Sequence, residues 1–126
     1  MNRNELTEYI RDCFSVEGDC PFEGDFVSTV FRHESNRKWF ALVMCIPKHC
    51  LGLEGDEPID VLNVKVGPIL AGELRGESGI FAAYHMNKNH WLTLALDGSA
   101  EDEKIKWVLD VSYDLTKPKR KKAKSE

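Results

Sequence analysis

The feature that most restricts the fold of this chain is an unbroken apolar run at residues 39–46, Trp-Phe-Ala-Leu-Val-Met-Cys-Ile. The run has the length of a β-strand, and its aromatic and β-branched residues favour extended backbone. Because every position is apolar, both faces of such a strand must be covered. The run therefore predicts a central strand of a sheet, around which the rest of the chain must supply packing.

Four further β-prone segments accompany this run. Residues 26–33 precede it across a polar turn of hairpin length at residues 34–38, which predicts a first hairpin. Residues 59–66, 80–86 and 91–96 follow as three more strands, and residues 91–96 place their leucines on one face.

Three segments predict helices. The first carries apolar residues at helical spacing: Leu6, Tyr9, Ile10, Cys13 and Phe14. A short second helix is predicted to begin at Pro68, and a third is predicted to be capped by Ser99, with residues 101–103 placing acidic groups near its positive end. The resulting order predicts an α+β fold, in which helices pack on an antiparallel sheet.

Length and hydropathy restrict the class of protein. A chain of 126 residues is a usual size for one domain. No segment approaches the roughly 20 apolar residues that span a bilayer, and the start Met1-Asn2-Arg3-Asn4-Glu5 lacks the pattern of a secretory signal. The sequence therefore predicts a cytoplasmic protein with no membrane partner.

Charge is distributed unevenly along the chain. The net charge is −4, yet residues 1–116 alone carry 11 basic and 20 acidic residues, a balance near −9. We expect residues 1–116 to form the single domain and the basic segment 117–126 to be a disordered tail that either neutralises phosphates or solvates the end. An acidic domain weakens the case for nucleic-acid binding, which ordinarily uses a basic face.

Metal and catalytic chemistry have little support in the sequence. The thiols of Cys13, Cys20, Cys45 and Cys50 are expected to be free in a reducing compartment, and Cys45 and Cys50 would need a second ligand pair to bind zinc. His85 and His90 could act as acid and base, with Cys45 or Cys50 as nucleophile. No Gly-rich phosphate loop, Ser/His/Asp order or His-Glu metal motif accompanies them. We expect no enzyme activity, no cofactor and no metal.

Residues 84–91, Tyr-His-Met-Asn-Lys-Asn-His-Trp, gather aromatic, amide, imidazole and cationic groups between two apolar runs. Asn tolerates left-handed backbone and bonds to its own backbone, so the segment Asn87-Lys88-Asn89 is predicted to lie at a strand connection. The side chains can form a recognition surface. Alternatively, Tyr84, Met86 and Trp91 belong to the core, and the Asn and Lys residues only form the turn.

With this segment and the later Ser112-Tyr113-Asp114-Leu115, the chain resembles the MmcQ/YjbR family of small bacterial proteins. The family patterns are Tyr-x-Met-Asn-Lys-x-His-Trp and Ser-Tyr-x-Leu, and residues 30–32 with 38–41 are similar to its first hairpin. The resemblance implies a frataxin-like (CyaY-like) α+β fold and DNA binding through a double-wing arrangement. A frataxin-like fold also suggests iron handling, but residues 101–103 are better explained by the charge preference of a helix N-terminus.

Two functional hypotheses follow. In the first, the protein binds DNA weakly and in a salt-dependent manner through two hairpin wings. The predicted contacts are Arg32, Arg37 and Lys38 on the first hairpin and Asn87, Lys88, Asn89 and His90 on the second site. In the alternative, a small molecule or protein binds a polar-edged pocket lined by Tyr84, His85, Asn87, His90 and Trp91.

Overall fold

A computed structural model describes residues 1–21 and 28–118 of the chain. Within these ranges the elements run in the order α1 (Arg3–Phe14), β1 (Thr29–Arg32), β2 (Trp39–Pro47), a 3-10 turn (Lys48–Leu51), β3 (Pro58–Lys65), α2 (Gly67–Leu74), β4 (Ile80–Ala82), β5 (Trp91–Ala95) and α3 (Asp102–Thr116). The predicted order of helices and strands and the α+β class are confirmed.

The five strands form one antiparallel sheet in the order β1-β2-β3-β5-β4. Strand β2 is an interior strand, as its apolar sequence predicts, and it is buried on both faces from Phe40 to Val43. Its second half differs, because Cys45 is exposed next to Asp60 on β3. Strand β3 lies at the centre of the sheet.

The main core lies between the sheet and helices α1 and α3. Leu6 and Ile10 of α1 and Ile105 and Leu109 of α3 are fully buried, as their helical spacing predicts. Helix α1 begins at a capping box, in which the Asn2 side chain accepts from the Glu5 amide and the Glu5 carboxylate accepts from the Asn2 amide. A smaller cluster on the opposite face of the sheet contains Ile46, Ile59, Val61 and Ala95.

Two predicted boundaries are wrong. Strand β4 ends at Ala82 rather than continuing to residue 86, because His85 adopts a left-handed backbone (φ 61°) that an extended strand excludes. Ser99 does not cap the last helix. Its hydroxyl donates to Asp97 Oδ1 at 2.6 Å, and α3 begins after Glu101. Residues 22–27, which include the first two residues of the strand predicted over 26–33, and residues 119–126 of the predicted tail lie outside the described residues.

Neighbouring strands are antiparallel, so the β1–β2 and β4–β5 connections lie at one end of the sheet and the β2–β3 connection lies at the other, while α2 leads from the end of β3 back to the start of β4. One end holds the β1–β2 turn, the end of β3, the β4–β5 loop and the C-terminus of α3. The other end holds the 3-10 turn, the start of β3, the end of β5 and the N-terminus of α3. Among the described residues, no helix has the length and apolar character that crossing a bilayer requires.

Candidate functional site

The two segments predicted to contact DNA lie at the same end of the sheet. The β1–β2 turn carries Arg37 and Lys38, the β4–β5 loop carries Lys88, and Lys65 ends the strand between them. The Arg75 guanidinium also reaches this end, because it donates to the Lys88 carbonyl at 2.6 Å. We call this surface, formed by Arg37, Lys38, Lys65, Arg75 and Lys88, the basic end.

The β1–β2 turn is held in one conformation by backbone and side-chain bonds. The His33 amide donates to the Lys38 carbonyl at 2.9 Å, and Arg37 closes the turn with a left-handed backbone (φ 63°). The Asn36 side chain donates to the Thr116 carbonyl at 3.0 Å, which ties the turn to the last residue of α3. The exposed side chains of Arg37 and Lys38 therefore project from a fixed backbone.

The β4–β5 loop is organised by Asn87. Its carbonyl accepts from the amides of His90 (3.1 Å) and Trp91 (2.9 Å), and its Oδ1 accepts from the Asn89 amide at 2.9 Å. The prediction that this segment is a strand connection held by Asn-to-backbone bonds is confirmed, although His85 supplies the left-handed backbone. The His90 carbonyl then accepts from Val66 and Gly67 after β3, so the loop is fastened to the central strand.

A buried polar pair beneath the loop fixes where it begins. Asn63 on β3 and Thr93 on β5 are both fully buried, and the Thr93 hydroxyl donates to Asn63 Oδ1. The same hydroxyl accepts from the Tyr84 amide at 2.9 Å, and the Asn63 amide group donates to the Tyr84 carbonyl at 3.4 Å. Because buried polar groups must be paired, this pair positions the Tyr84 backbone and the loop that follows.

A cleft of about 280 Å³ lies between the β1–β2 turn and the β4–β5 loop. Its lining combines two indoles with three cationic side chains and one hydroxyl: Arg37, Lys38, Trp39, Lys65, Trp91 and Thr116. Trp39 and Trp91 are both half-buried. The cleft exists because β2 and β3 separate here. Their pairing ends at Leu42 and Asn63, and beyond that point the Ser112 hydroxyl bridges the strands.

The two ends of the sheet differ in how their charged side chains are paired. Within residues 1–21 and 28–118, no cation of the basic end forms an ion pair with a carboxylate. The opposite end, which we call the acidic end, carries Glu54, Asp56, Glu57, Glu77, Asp97, Glu101, Asp102 and Glu103. Eight of the 20 acidic residues in the range 1–116 thus lie at the acidic end, while Glu34 in the β1–β2 turn and Asp114 near the C-terminus of α3 lie at the same end of the sheet as the five cations.

Arg32 differs from the other predicted contacts. Its guanidinium lies 2.9 and 3.1 Å from the two carboxylate oxygens of Asp19, in an ion pair whose arginine side chain is only 20% exposed. A carboxylate in this position competes with a phosphate for the same donors. Asn87 is also engaged, since its Oδ1 forms the loop, whereas Lys88 and Asn89 are exposed.

The residues predicted to line the alternative ligand pocket lie in different environments. Tyr84 packs on the cluster around Ile46 and Ile59, and a hydrogen bond to the Cys50 thiol raises its pKa. His85 stacks edge-on against Tyr84, with ring centroids 4.0 Å apart, while Trp91 lines the cleft beside Lys65.

A second cavity of about 400 Å³ adjoins the β1–β2 turn. Its lining includes Glu17, Asp19 and Glu34 but no residue from 84–91.

Metal and nucleophilic chemistry can be judged from the described residues. Among them, no three His, Cys, Asp or Glu side chains lie close enough together to hold a metal ion. All four cysteines, Cys13, Cys20, Cys45 and Cys50, are free thiols. Partial desolvation by the surrounding side chains and the neighbouring Asp60 carboxylate raise the pKa of Cys45, which disfavours its thiolate, the reactive form.

The segment Ser112-Tyr113-Asp114-Leu115 supports the fold beneath the site. The buried Ser112 hydroxyl donates to the Phe40 carbonyl at 2.6 Å and accepts from the Lys65 amide at 2.9 Å. The Tyr113 ring stacks on Phe14, with centroids 4.5 Å apart, and also contacts His33 at 4.4 Å. Ser112 thus joins α3 to β2 and β3, and Tyr113 joins α3 to α1 and to the residue that follows β1.

The buried position of His33 predicts that the free energy of unfolding depends on pH. Its ring is buried, and Nε2 lies 2.8 Å from the Thr116 hydroxyl, which itself donates to the Ser112 carbonyl. Burial lowers the pKa of His33, and the cations Lys117 and Lys38 lower it further against the opposing effect of the Tyr113 carbonyl. As the pH falls, His33 therefore binds a proton near pH 6.5 in the unfolded chain but only at a lower pH in the folded protein.

We expect the free energy of unfolding to fall as pH decreases from about 6.5 towards the folded pKa, by at most about 1.4 kcal/mol per pH unit for this one proton. Urea unfolding at a series of pH values between 7.5 and 5 measures this slope. His33→Gln should remove the contribution of this proton. An identical slope in the variant and the parent protein would contradict the assignment.

Sequence reasoning missed several residues that build the site. Asn63, Thr93 and Ser112 position its backbone, and Arg75 fastens the β4–β5 loop. A signal for Asn63 and Thr93 was present, because each is the one polar residue of an apolar stretch, residues 61–64 and 91–96. Such a residue is retained in a buried position only where a partner satisfies it.

Comparisons with known proteins agree on one family. A family model described as YjbR matches residues 11–115. The chain is 32% identical to protein YyaQ of Bacillus subtilis over 117 residues, which cover 93% of this chain and 99% of that protein. It is 42% identical to protein YjbR of Escherichia coli K12 over 53 residues, or 41% of this chain and 45% of that one. Both relatives are described as uncharacterized.

Solved structures show the same fold. A crystal structure of a protein from Pseudomonas syringae has a TM-score of 0.90 and 41% sequence identity, covering 93% of this chain and 100% of that one. A crystal structure of a protein from Deinococcus radiodurans has a TM-score of 0.67 at 27% identity, covering 90% of this chain and 77% of that one.

Proposed function

The chain belongs to the YjbR family, and from that membership we propose that it is a non-catalytic DNA-binding protein that contacts phosphates with its basic end. In this proposal the β1–β2 turn and the β4–β5 loop act as the two wings. The observation that carries the proposal is the meeting of both predicted segments at one end of the sheet, where Arg37, Lys38 and Lys88 have no carboxylate partner among the described residues.

The distribution of charge supports a polyanionic ligand. Lys and Arg that neutralise phosphates release counterions, and this release supplies most of the affinity of non-specific DNA binding. Within the part of the chain that the structure describes, Arg37, Lys38, Lys65 and Lys88 form no ion pair that a bound phosphate would have to displace. Arg32 is assigned a supporting role instead, because its pair with Asp19 holds the end of β1.

The small-molecule alternative has weaker support. Of the five residues predicted for a ligand pocket, Trp91 alone lines either of the two cavities described above. The cleft that contains Trp91 measures about 280 Å³, slightly below the range of roughly 300–1,000 Å³ that is usual for sites of drug-sized ligands. Its cationic rim favours phosphate over an uncharged metabolite.

The absence of catalysis is also a proposal, and it rests on the candidate nucleophiles and bases. The raised pKa of Cys45 disfavours a thiolate. The hydrogen bond to the Cys50 thiol raises the pKa of Tyr84, which disfavours its phenolate, and the Tyr84 ring packs on the cluster around Ile46 and Ile59. His85 is exposed next to Tyr84, whereas His90 lies on the other side of the Asn87 turn.

A salt titration tests DNA binding. We expect fluorescence anisotropy of a labelled 20-base-pair duplex to report micromolar or weaker affinity that decreases steeply with NaCl concentration. Lys88→Ala should weaken binding severalfold and reduce the slope of log K against log [NaCl] by about 1, because one phosphate contact is lost. Removal of residues 119–126 measures the separate contribution of the predicted basic tail.

Lys48→Ala is the matched control, since it removes the same charge from the acidic end, where Lys48 pairs with Glu57 at 3.4 Å. This variant should leave the slope unchanged. The proposal fails if the protein does not bind DNA at 20 mM salt, or if Lys88→Ala and Lys48→Ala have the same effect.

A further inference from the structure

We propose that the cleft between Trp39 and Trp91 receives an unpaired base, so that the DNA bound by the basic end is single-stranded. This inference rests on the proposed DNA-binding function and names the form of DNA that the site selects. In a duplex the bases are paired and stacked on one another, whereas a single strand presents its base faces to an aromatic side chain.

The lining of the cleft combines the two kinds of group that bind single strands. The indoles of Trp39 and Trp91 offer aromatic surface to a base, and Arg37, Lys38 and Lys65 lie around them to contact the flanking phosphates. Proteins that bind single-stranded DNA without strict sequence preference use this combination, in which stacking and phosphate neutralisation act together. Lys88, on the adjacent loop, extends the cationic surface beyond the cleft.

The size and position of the cleft favour one base of a longer strand. The volume of about 280 Å³ suits a small planar group, and the cleft is open at the end of the sheet rather than enclosed. A free nucleotide would contact only the cations that line the cleft, whereas a strand would also reach Lys88 and Arg75. Affinity should therefore increase with the length of the strand.

The walls of the cleft are held apart before any ligand binds. Where the pairing of β2 and β3 stops, the Ser112 hydroxyl bridges Phe40 and Lys65, so the strand ends that carry Trp39 and Lys65 cannot close against each other. On the other side, pairing of Trp91 with Lys65 and the bonds of the His90 carbonyl fix the start of β5. Such preorganisation reduces the entropy lost on binding.

The test compares single-stranded and duplex DNA of the same length and ionic conditions, with a labelled 15-nucleotide oligothymidine and a 15-base-pair duplex in 20 mM NaCl. We expect the single strand to bind at least severalfold more tightly. Trp91→Leu should weaken binding of the single strand about 5- to 100-fold, as expected for loss of one stacked base, and should change duplex binding little. Trp107→Leu, which alters the partly exposed tryptophan of α3, is the matched control.

Circular dichroism and thermal unfolding establish that each variant is folded, and Trp39→Leu provides a second test if Trp91→Leu is not. Equal affinity for both DNAs, or unchanged single-strand binding in folded Trp91→Leu and Trp39→Leu, would overturn this inference while leaving the proposed function intact. Thymidine monophosphate that competes as well as the oligomer would overturn it in favour of a mononucleotide site. Failure of both DNAs to bind would overturn both proposals.

Discussion

Replacement of Gly79 by alanine is expected to lower the free energy of unfolding by about 3 to 5 kcal/mol, because it combines backbone strain with a steric clash. Gly79 has a left-handed backbone (φ 77°), and a Cβ there would lie 2.5 Å from the Ala100 nitrogen and 2.8 Å from its Cβ. The contact is with backbone, which cannot turn aside as a flexible side chain would. The Gly79 carbonyl also accepts from the Ala95 amide, so its movement would disturb β5.

Gly76 is the matched control for this substitution. It is also left-handed (φ 97°), yet a Cβ at Gly76 would have no neighbour within 4 Å. Gly76→Ala should therefore lower the free energy of unfolding only by the strain of a left-handed backbone, about 1 to 2 kcal/mol. Urea unfolding of both variants measures the difference, and equal destabilisation would show that the approach of Ala100 contributes nothing.

The second large effect is expected at Ser112, where alanine should destabilise the protein by about 2 to 4 kcal/mol. The substitution removes one buried hydroxyl but leaves two buried backbone groups, the Phe40 carbonyl and the Lys65 amide, without their partner. Each unsatisfied group costs about 1 to 3 kcal/mol. The loss exceeds that of an ordinary hydrogen bond because the strands themselves are not paired at this point.

Ser78→Ala provides the comparison, since the exposed Ser78 hydroxyl donates to a single carbonyl, that of Ser99, at 2.7 Å. Its loss should cost no more than about 1 kcal/mol. Chemical denaturation of the two variants gives the values directly. A Ser112→Ala protein as stable as Ser78→Ala would mean that the separated strands find other partners.

The elements that could be predicted from the sequence are those with a clear hydrophobic period. The apolar stripe of α1 and the apolar run of β2 each dictate one type of structure. The end of β4 could not be predicted in this way, because Tyr84 and Met86 favour a strand locally while the bond from the Tyr84 amide to Thr93 turns the chain away. Ser99 has a residue type typical of a helix cap, but its hydroxyl donates to Asp97 and its carbonyl accepts from Ser78, and the helix begins after Glu101.

The candidate site could be predicted as separate residues but not as a surface. Arg37, Lys38 and Lys88 were identified from charge in two hairpin segments, far apart in sequence. Their meeting depends on the insertion of β5 between β3 and β4, a non-local pairing that no local pattern specifies. The cleft depends on a further event of the same kind, the separation of β2 from β3 that Ser112 spans.

The five cations of the basic end and the eight carboxylates of the acidic end contribute to an electric dipole along the strands. In the field of a polyanion such a dipole experiences a torque. The protein would therefore rotate during diffusion until Lys88 and Arg37 face the polyanion and the carboxylates around Glu57 face away from it. Fewer encounters would then be lost to wrong orientations. A protein with net charge −4 could thereby associate quickly with DNA. Added salt would lower the association rate constant at concentrations too small to raise the dissociation rate constant.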